Sequence, residues 1–224
     1  MWQVIHGDCL EVLPTLGKVD AVVTDPPYGI GEAAGKNESR GKLADVRAYG
    51  NDDWDDEPIS SDLLAAVIAS APVAVIFGGN YYVLPPSPCW LVWDKDNTGD
   101  FADCELAWTN LKKAVRRLKW RWNGMLQENG GRFKEIRYHP TQKPVPVMRW
   151  CITHLGLPPG STILDPFCGS GSTGMACKRE GRSFLGVERN PEYCEVARSR
   201  LRGESEQTEL ITESHHDTDT EDDA

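Results

Sequence analysis

Asp25, Pro26, Pro27 and Tyr28 stand together at the end of an apolar run, Val19 to Thr24. Two consecutive prolines have fixed φ and no N–H, so neither a strand ladder nor a helix interior continues through them. The chain must turn out at the sheet edge. It carries there a carboxylate, carbonyls with no competing N–H neighbours, and an aromatic face. That set suits a planar substrate bearing an exocyclic amino group, whose hydrogens the acceptors hold while its ring stacks on Tyr28. The plainer reading of the same residues is a Pro-terminated strand with a solvated Asp.

A second junction lies far downstream, where Thr162, Ile163 and Leu164 run into Asp165, Pro166, Phe167, Cys168, Gly169, Ser170, Gly171, Ser172 and Thr173. Glycines without Cβ let backbone N–H groups approach a ligand closely. A helix is predicted next, over Met175 to Glu180, then a strand, Ser183 to Val187, ending at Glu188. A carboxylate at the end of the second strand of such a unit is placed to take both hydroxyls of a ribose, so the expected ligand contains a nucleoside. Taken alone, a Gly-rich stretch is also read as a tight turn.

Together these residues resemble the S-adenosylmethionine-dependent DNA amino-methyltransferases of the permuted (beta) group, in which the catalytic motif precedes the cofactor motif. Asp25-Pro26-Pro27-Tyr28 matches the family's catalytic tetrapeptide, and Asp165 to Gly171, continued by Ser172 and Thr173, its cofactor loop. His139-Pro140-Thr141-Gln142-Lys143-Pro144 is similar to the segment before that loop, which implies Thr141, Gln142 and Lys143 near the methionine part of the cofactor. Gly7-Asp8-Cys9-Leu10, after a predicted strand from Gln3 to His6, is similar to the family's N-terminal acidic site, which implies Asp8 and Cys9 at the adenine. Glu188 would hold the ribose, and Asp25 would touch cofactor as well as base. The four motifs fall in the family's order over roughly residues 1 to 200.

The resemblance implies S-adenosylmethionine as cofactor, double-stranded DNA as partner, no metal, and direct methyl transfer to the amino group of a base turned out of the duplex. Adenine N6 is favoured over cytosine N4 because the Asp form of the tetrapeptide is commoner among adenine enzymes. Methylation of an RNA base or a protein amide is a second reading, although those families usually place the cofactor loop first. A catalytically degenerate DNA-binding subunit is a third, and the intact Asp25, Tyr28, Glu188 and glycines count against it. The recognition sequence, a restriction partner and a homodimer are left open.

The elements that must position these residues read as alternating units. Ser61 to Ser70 has helical spacing after a Ser cap, Val73 to Phe77 is a β-branched strand, and Cys89 to Trp93 with Cys104 to Trp108 read as a closing pair of strands. Alternation of this kind predicts an α/β fold with helices on both faces of the sheet. The resemblance makes it a Rossmann-like, seven-stranded mixed sheet with one antiparallel strand, the N-terminal strand lying beside those that follow the cofactor loop. Ile30 to Glu57 reads as a long mobile loop, able to close over DNA or to be a plain insertion. Cys89 and His154, both in apolar stretches, read as structural.

The chain has 224 residues and a formal charge of −10, which maps unevenly. Residues 203–224 hold nine acidic side chains and no Lys or Arg, leaving the first 202 residues near −1. We expect a methyltransferase domain over 1–202 and an acidic, disordered tail, solvated or acting as a nucleic-acid mimic. Between residues 109 and 138 the bias reverses: Lys112, Lys113, Arg116, Arg117, Lys119, Arg121, Arg132, Lys134 and Arg137 are interleaved with Trp120, Trp122, Phe133 and Tyr138. Such side chains neutralise phosphates and read base edges, and in the family this interval carries target recognition; a solvated basic helix is the alternative. Seven cysteines without a Cys-X-X-Cys pair suggest reduced thiols, and no apolar run reaches membrane-spanning length. A cytoplasmic location without a membrane partner is expected.

Overall fold

The computed structural model describes residues 1–30, 57–97, 102–123, 126–129, 135–138 and 141–216, with no side chains beyond residue 203. The predicted loop between Ile30 and Glu57 therefore lies almost wholly outside the described residues, as do Arg132, Lys134, His139 and Pro140.

Ten strands are described: β1 (Trp2–His6), β2 (Ala21–Thr24), β3 (Val73–Phe77), β4 (Trp90–Asp94), β5 (Cys104–Thr109), β6 (Arg116–Lys119), β7 (Trp122–Asn123), β8 (Leu126–Gln127), β9 (Thr162–Asp165) and β10 (Ser183–Glu188). Eight form one sheet in the order β1-β10-β9-β2-β3-β5-β4-β6, and β7 pairs with β8 as a separate ribbon. Within the eight-stranded sheet only β5 runs against its neighbours, with Ile76 opposite Trp108 and Leu91 opposite Ala107. The single antiparallel strand and the placing of β1 against β10 agree with expectation. The count does not, because β6 adds an eighth strand at the edge, parallel to β4. Its sequence, Arg-Arg-Leu-Lys, has one apolar residue and little period-2 signal; edge strands tolerate such charge because one side faces water.

Helices α1 (Cys9–Val12), α2 (Ser61–Ala69), α3 (Val145–His154), α4 (Ser172–Arg179) and α5 (Pro191–His216) cover the sheet. The strands sort their side chains by parity. Val23, Val75, Phe77 and Ile163 join Met148, Cys151, Ala176 and Leu201 in one core, while Val22, Ala74, Ile76 and Leu164 join Leu63, Leu64 and Val67 in another. Burial on both faces explains why β2 and β3 read as unbroken apolar runs. Ser60 caps α2 by accepting from the Leu63 N–H at 3.2 Å. Helix α5 continues to His216, through much of the segment expected to be disordered. Glu204, Glu206, Gln207, Glu209, Leu210 and Glu213 favour helix intrinsically and extend one already packed on the sheet. Residues 217–224 lie outside the described residues. No helix among those described is long and apolar enough to cross a membrane.

Parallel strands deliver their C-terminal ends to one edge, and β1, β2, β9 and β10 there hand over to Asp8, Asp25, Asp165 and Glu188. Because β5 is reversed, its first residues, opposite the end of β4, reach the same edge.

Candidate active site

A cavity of about 710 Å³ opens at that edge. Asp8 and Cys9, Asp25 and Pro27, Thr141 to Lys143, Asp165 to Ser170, Ser172, Thr173 and Glu188 all line it. Of the predicted catalytic and cofactor-binding residues, three do not: Pro26, Tyr28 and Gly171. Gly171 instead holds φ +83° at the start of α4, where an added Cβ would lie 3.0 Å from the Ala197 Cβ of α5. Its role is to let two helices approach and to turn the loop.

Glu188 latches the Gly-rich loop. Its Oε2 accepts the Gly169 N–H at 2.8 Å and its Oε1 the Asn190 N–H at 2.7 Å, which leaves the carboxylate further acceptor capacity on the cavity wall. Burial raises its pKa, and the Asn190 and Gly169 amides oppose the rise. Asp165 is more deeply committed. Thr24 and Thr173 hydroxyls donate to its two oxygens at 2.6 and 2.5 Å, and the Phe167 N–H adds a third bond at 3.1 Å. Burial pushes this carboxyl up to about 6. It ties β2, β9 and α4 together at the cavity wall. Asp8 caps α1 through the Leu10 N–H at 2.9 Å, and Gln142 holds the Tyr138 N–H and the Ser170 hydroxyl at 2.9 and 3.1 Å. Ser172 Oγ is buried with no hydrogen-bond partner among the described residues, a polar atom on the cavity wall that a ligand would satisfy.

Asp25 sits among charges. Its Oδ1 accepts the Tyr28 hydroxyl and its Oδ2 the Lys143 ammonium, at 2.5 Å for the latter. Lys143 also lies 3.1 Å from Glu105 Oε2, and Lys95 binds Glu105 Oε1 at 2.5 Å. Burial drives the Asp25 carboxyl up, with Lys143 opposing. Burial also pushes Glu105 up, but the Lys143 and Lys95 ammonium groups outweigh it and hold that carboxyl low. Burial would lower Lys143; the Asp25 and Glu105 carboxylates override it and raise the amine's pKa. The reading of Asp25 as a solvated strand end is thus overturned.

Tyr28 is lodged over Gly78, whose φ is +67° and whose added Cβ would fall 2.1 Å from the ring. Tyr81 stacks on it. The prolines' carbonyls meet a donor that is not a neighbouring N–H: the Tyr82 hydroxyl donates to Pro27 O at 2.5 Å and lies 3.4 Å from Pro26 O. That donor comes from 55 residues away and leaves no local trace. Sequence reasoning also missed Glu105, Asn190 and the apolar wall of Ile59 and Leu63 that packs with Phe167. Only Asn190 had a legible signal: Asn-Pro before a helical run marks a cap, and its Oδ1 accepts the Glu192 N–H at 2.8 Å.

The basic segment divides. Arg116, Arg117 and Lys119 are exposed on β6 rather than on a helix. Lys119, at 2.7 Å, and Arg121 are bound to Asp96, whose carboxyl they hold below its ordinary range, and Arg117 lies 3.7 Å from Asp94. Lys113 donates to the His154 carbonyl at 2.8 Å; Lys112 is exposed and Arg137 half-buried. Among the described residues no cluster of His, Cys, Asp or Glu could hold a metal ion.

A family model described as DNA methylase matches residues 90–199. The chain is 27% identical to the putative methylase YubD of Escherichia coli K12 across 90% of both chains. The structure of the M1.HpyAVI–SAM complex, 27% identical, superposes over 90% of this chain and all of that one with a TM-score of 0.53. The matching family model is of the N6/N4 DNA methylases, and its match covers just under half of the chain. It is also 45% identical over 67 residues to the type II methyltransferase M.XycI of Xanthomonas campestris pv. cyanopsidis, covering 30% of this chain. The match spans only 22% of that longer methylase.

Proposed function

We propose that this chain is a site-specific DNA methyltransferase that moves a methyl group from S-adenosylmethionine to the exocyclic amino group of a base, adenine N6 above cytosine N4. The observation that carries the reading is that Asp25, from the catalytic tetrapeptide, and Glu188, from the nucleoside end of the Gly-rich unit, line one cavity. The residues present fit the cofactor. Glu188 keeps lone pairs for the ribose hydroxyls, Asp8 and Cys9 with the apolar wall of Ile59, Leu63 and Phe167 suit the adenine, and Ser172 offers an unused hydroxyl. When bound, S-adenosylmethionine supplies an electrophilic methyl on a positively charged sulfur.

The chain's own part is orientation and charge. A base amino group cannot be reached inside the stack, so the base must be turned out, at a cost of a few kcal/mol. Asp25 and the Pro26 carbonyl accept the amino hydrogens, which draws the nitrogen lone pair out of conjugation and aims it. Positive charge then grows on that nitrogen, and Asp25 stabilises it more in the transition state than in the ground state. Tyr28, pinned by Asp25 and Gly78, offers the flat apolar surface against which the ring is held. The exposed face of β6 and the residues around it supply phosphate contacts to double-stranded DNA, in the cytoplasm. Adenine rests on the Asp form of the tetrapeptide, because the acceptors would serve either base.

The test is transfer of tritiated methyl from S-adenosylmethionine to unmethylated plasmid DNA, with RNA as control, and identification of the labelled nucleoside by mass spectrometry. N6-methyladenine is expected; N4-methylcytosine would reverse the base, and label confined to RNA would end the DNA reading.

A further inference from the structure

Glu105 lies outside the four motifs, yet its side chain is only 21% exposed and reaches the catalytic carboxylate through a single ammonium. It stands near the start of β5, the reversed strand, which brings it to the edge where β2 ends. Lys95 fixes its Oε1 at 2.5 Å. Its Oε2 is 3.1 Å from Lys143 Nζ, but no hydrogen bond of good geometry reaches that oxygen among the described residues. The Lys143 ammonium is 7% exposed and gives its well-formed bond to Asp25 Oδ2 instead.

In this arrangement each Asp25 oxygen already holds a donor, Tyr28 on one and Lys143 on the other. Two consequences oppose amino-group methylation. An amino hydrogen must share an oxygen that already holds a donor, and a fixed positive charge stands where positive charge must grow. An ammonium on a four-carbon stem, with three rotatable donors, can change acceptor without moving the backbone. Glu105 Oε2 is the buried acceptor within reach.

We propose that Glu105 is a positioning residue: it draws the Lys143 ammonium off Asp25 when the base amino group arrives, freeing Asp25 to accept. The inference rests on the amino-methylation reading above. No proton changes hands. Asp25, Glu105, Lys95 and Lys143 carry two charges of each sign, so the transfer of Lys143 places both ammonium groups on Glu105 and leaves the negative charge of Asp25 open to the incoming amine. The groups that set Asp25's charge are Lys143, Glu105, Tyr28 and, through its own buried carboxyl, Asp165.

The experiment compares full-length wild type and Glu105→Gln in single-turnover methylation of unmethylated plasmid DNA, across a pH series, with S-adenosylmethionine affinity by calorimetry and melting as a fold control. We expect a rate lower by about tenfold or more, cofactor affinity within about twofold, and an acidic limb displaced to lower pH, because Lys143 is then held by Asp25 alone. A rate within about twofold of wild type overturns the inference, as does a slower rate with the acidic limb unmoved, the mark of a purely structural ion pair. If Glu105→Gln fails to fold, Glu105→Asp, which keeps the charge but withdraws it, should show the same changes in smaller amplitude, and wild-type behaviour overturns the inference. Wild-type protein that methylates nothing would defeat the amino-methylation reading itself; wild-type activity matched by the variant defeats only the role of Glu105.

Discussion

Tyr81 lies flat on Tyr28, with ring centroids 4.9 Å apart and planes inclined by 16°. Tyr81 is 47% exposed, so the pair covers a face of Tyr28 that a target base would use. A base that stacks there must displace Tyr81. Tyr81→Ala should therefore keep at least the wild-type single-turnover rate while losing about 1 kcal/mol of stability, the worth of an aromatic pair. Tyr28→Ala should lose the base's support and about a hundredfold in rate. Equal losses in both variants would show that the two rings act as one surface.

Asp25→Ala should leave the fold and most cofactor binding intact and reduce methyl transfer by about 10²- to 10³-fold, since its role is concentrated where charge develops. A variant retaining more than about a tenth of the wild-type rate, a barrier change under ~1.4 kcal/mol, would remove Asp25 from the chemistry.

What the sequence made legible were strand ends. Asp25, Asp165 and Glu188 each follow an apolar run, and motif order alone placed them at one edge. Glu105 was hidden because it interrupts the apolar stretch of β5, where a charged residue reads as one more outward-facing position. Tyr81 and Tyr82 were hidden because their partners are more than 50 residues away. Strand β6 escaped notice because its pairing comes from backbone and its side chains are mostly solvated.

The buried Asp165 gives a pH prediction. Its pKa in the folded protein, about 6, stands above the ordinary value of 3.8, so the folded state holds an extra proton between about pH 4 and 6. Stability must then fall as pH rises through that window, by at most about 3 kcal/mol from this group. Urea midpoints at pH 4.5 and 7 should show a smaller decline for Asp165→Asn than for wild type. An identical decline would place the titration elsewhere.

Phosphate contact should follow the pairing seen on the basic surface. Neutralising Arg116 and Arg117 together should weaken binding to all DNA sequences alike and reduce the salt slope by about one for each residue. Lys119→Ala and Arg121→Ala should each do less, because Asp96 already neutralises part of their charge. DNA affinity across a salt series decides it; a double variant with the wild-type slope would put the DNA surface elsewhere.

Strand β2 has its sheet neighbours in β3 and β9, and the Thr24 hydroxyl bonds an Asp165 that is 141 residues later. The strand that leads into the tetrapeptide thus leaves a ribosome well before one of its two neighbours and is enclosed late. Loops this long must close before any of their contacts repay the entropy lost, so folding should be slow and governed by non-local pairing. Until β9 is synthesised, one side of a fully apolar strand stays open to other chains, which makes the nascent protein dependent on protection from aggregation. No N-terminal fragment ending before β9 should fold to hold the site.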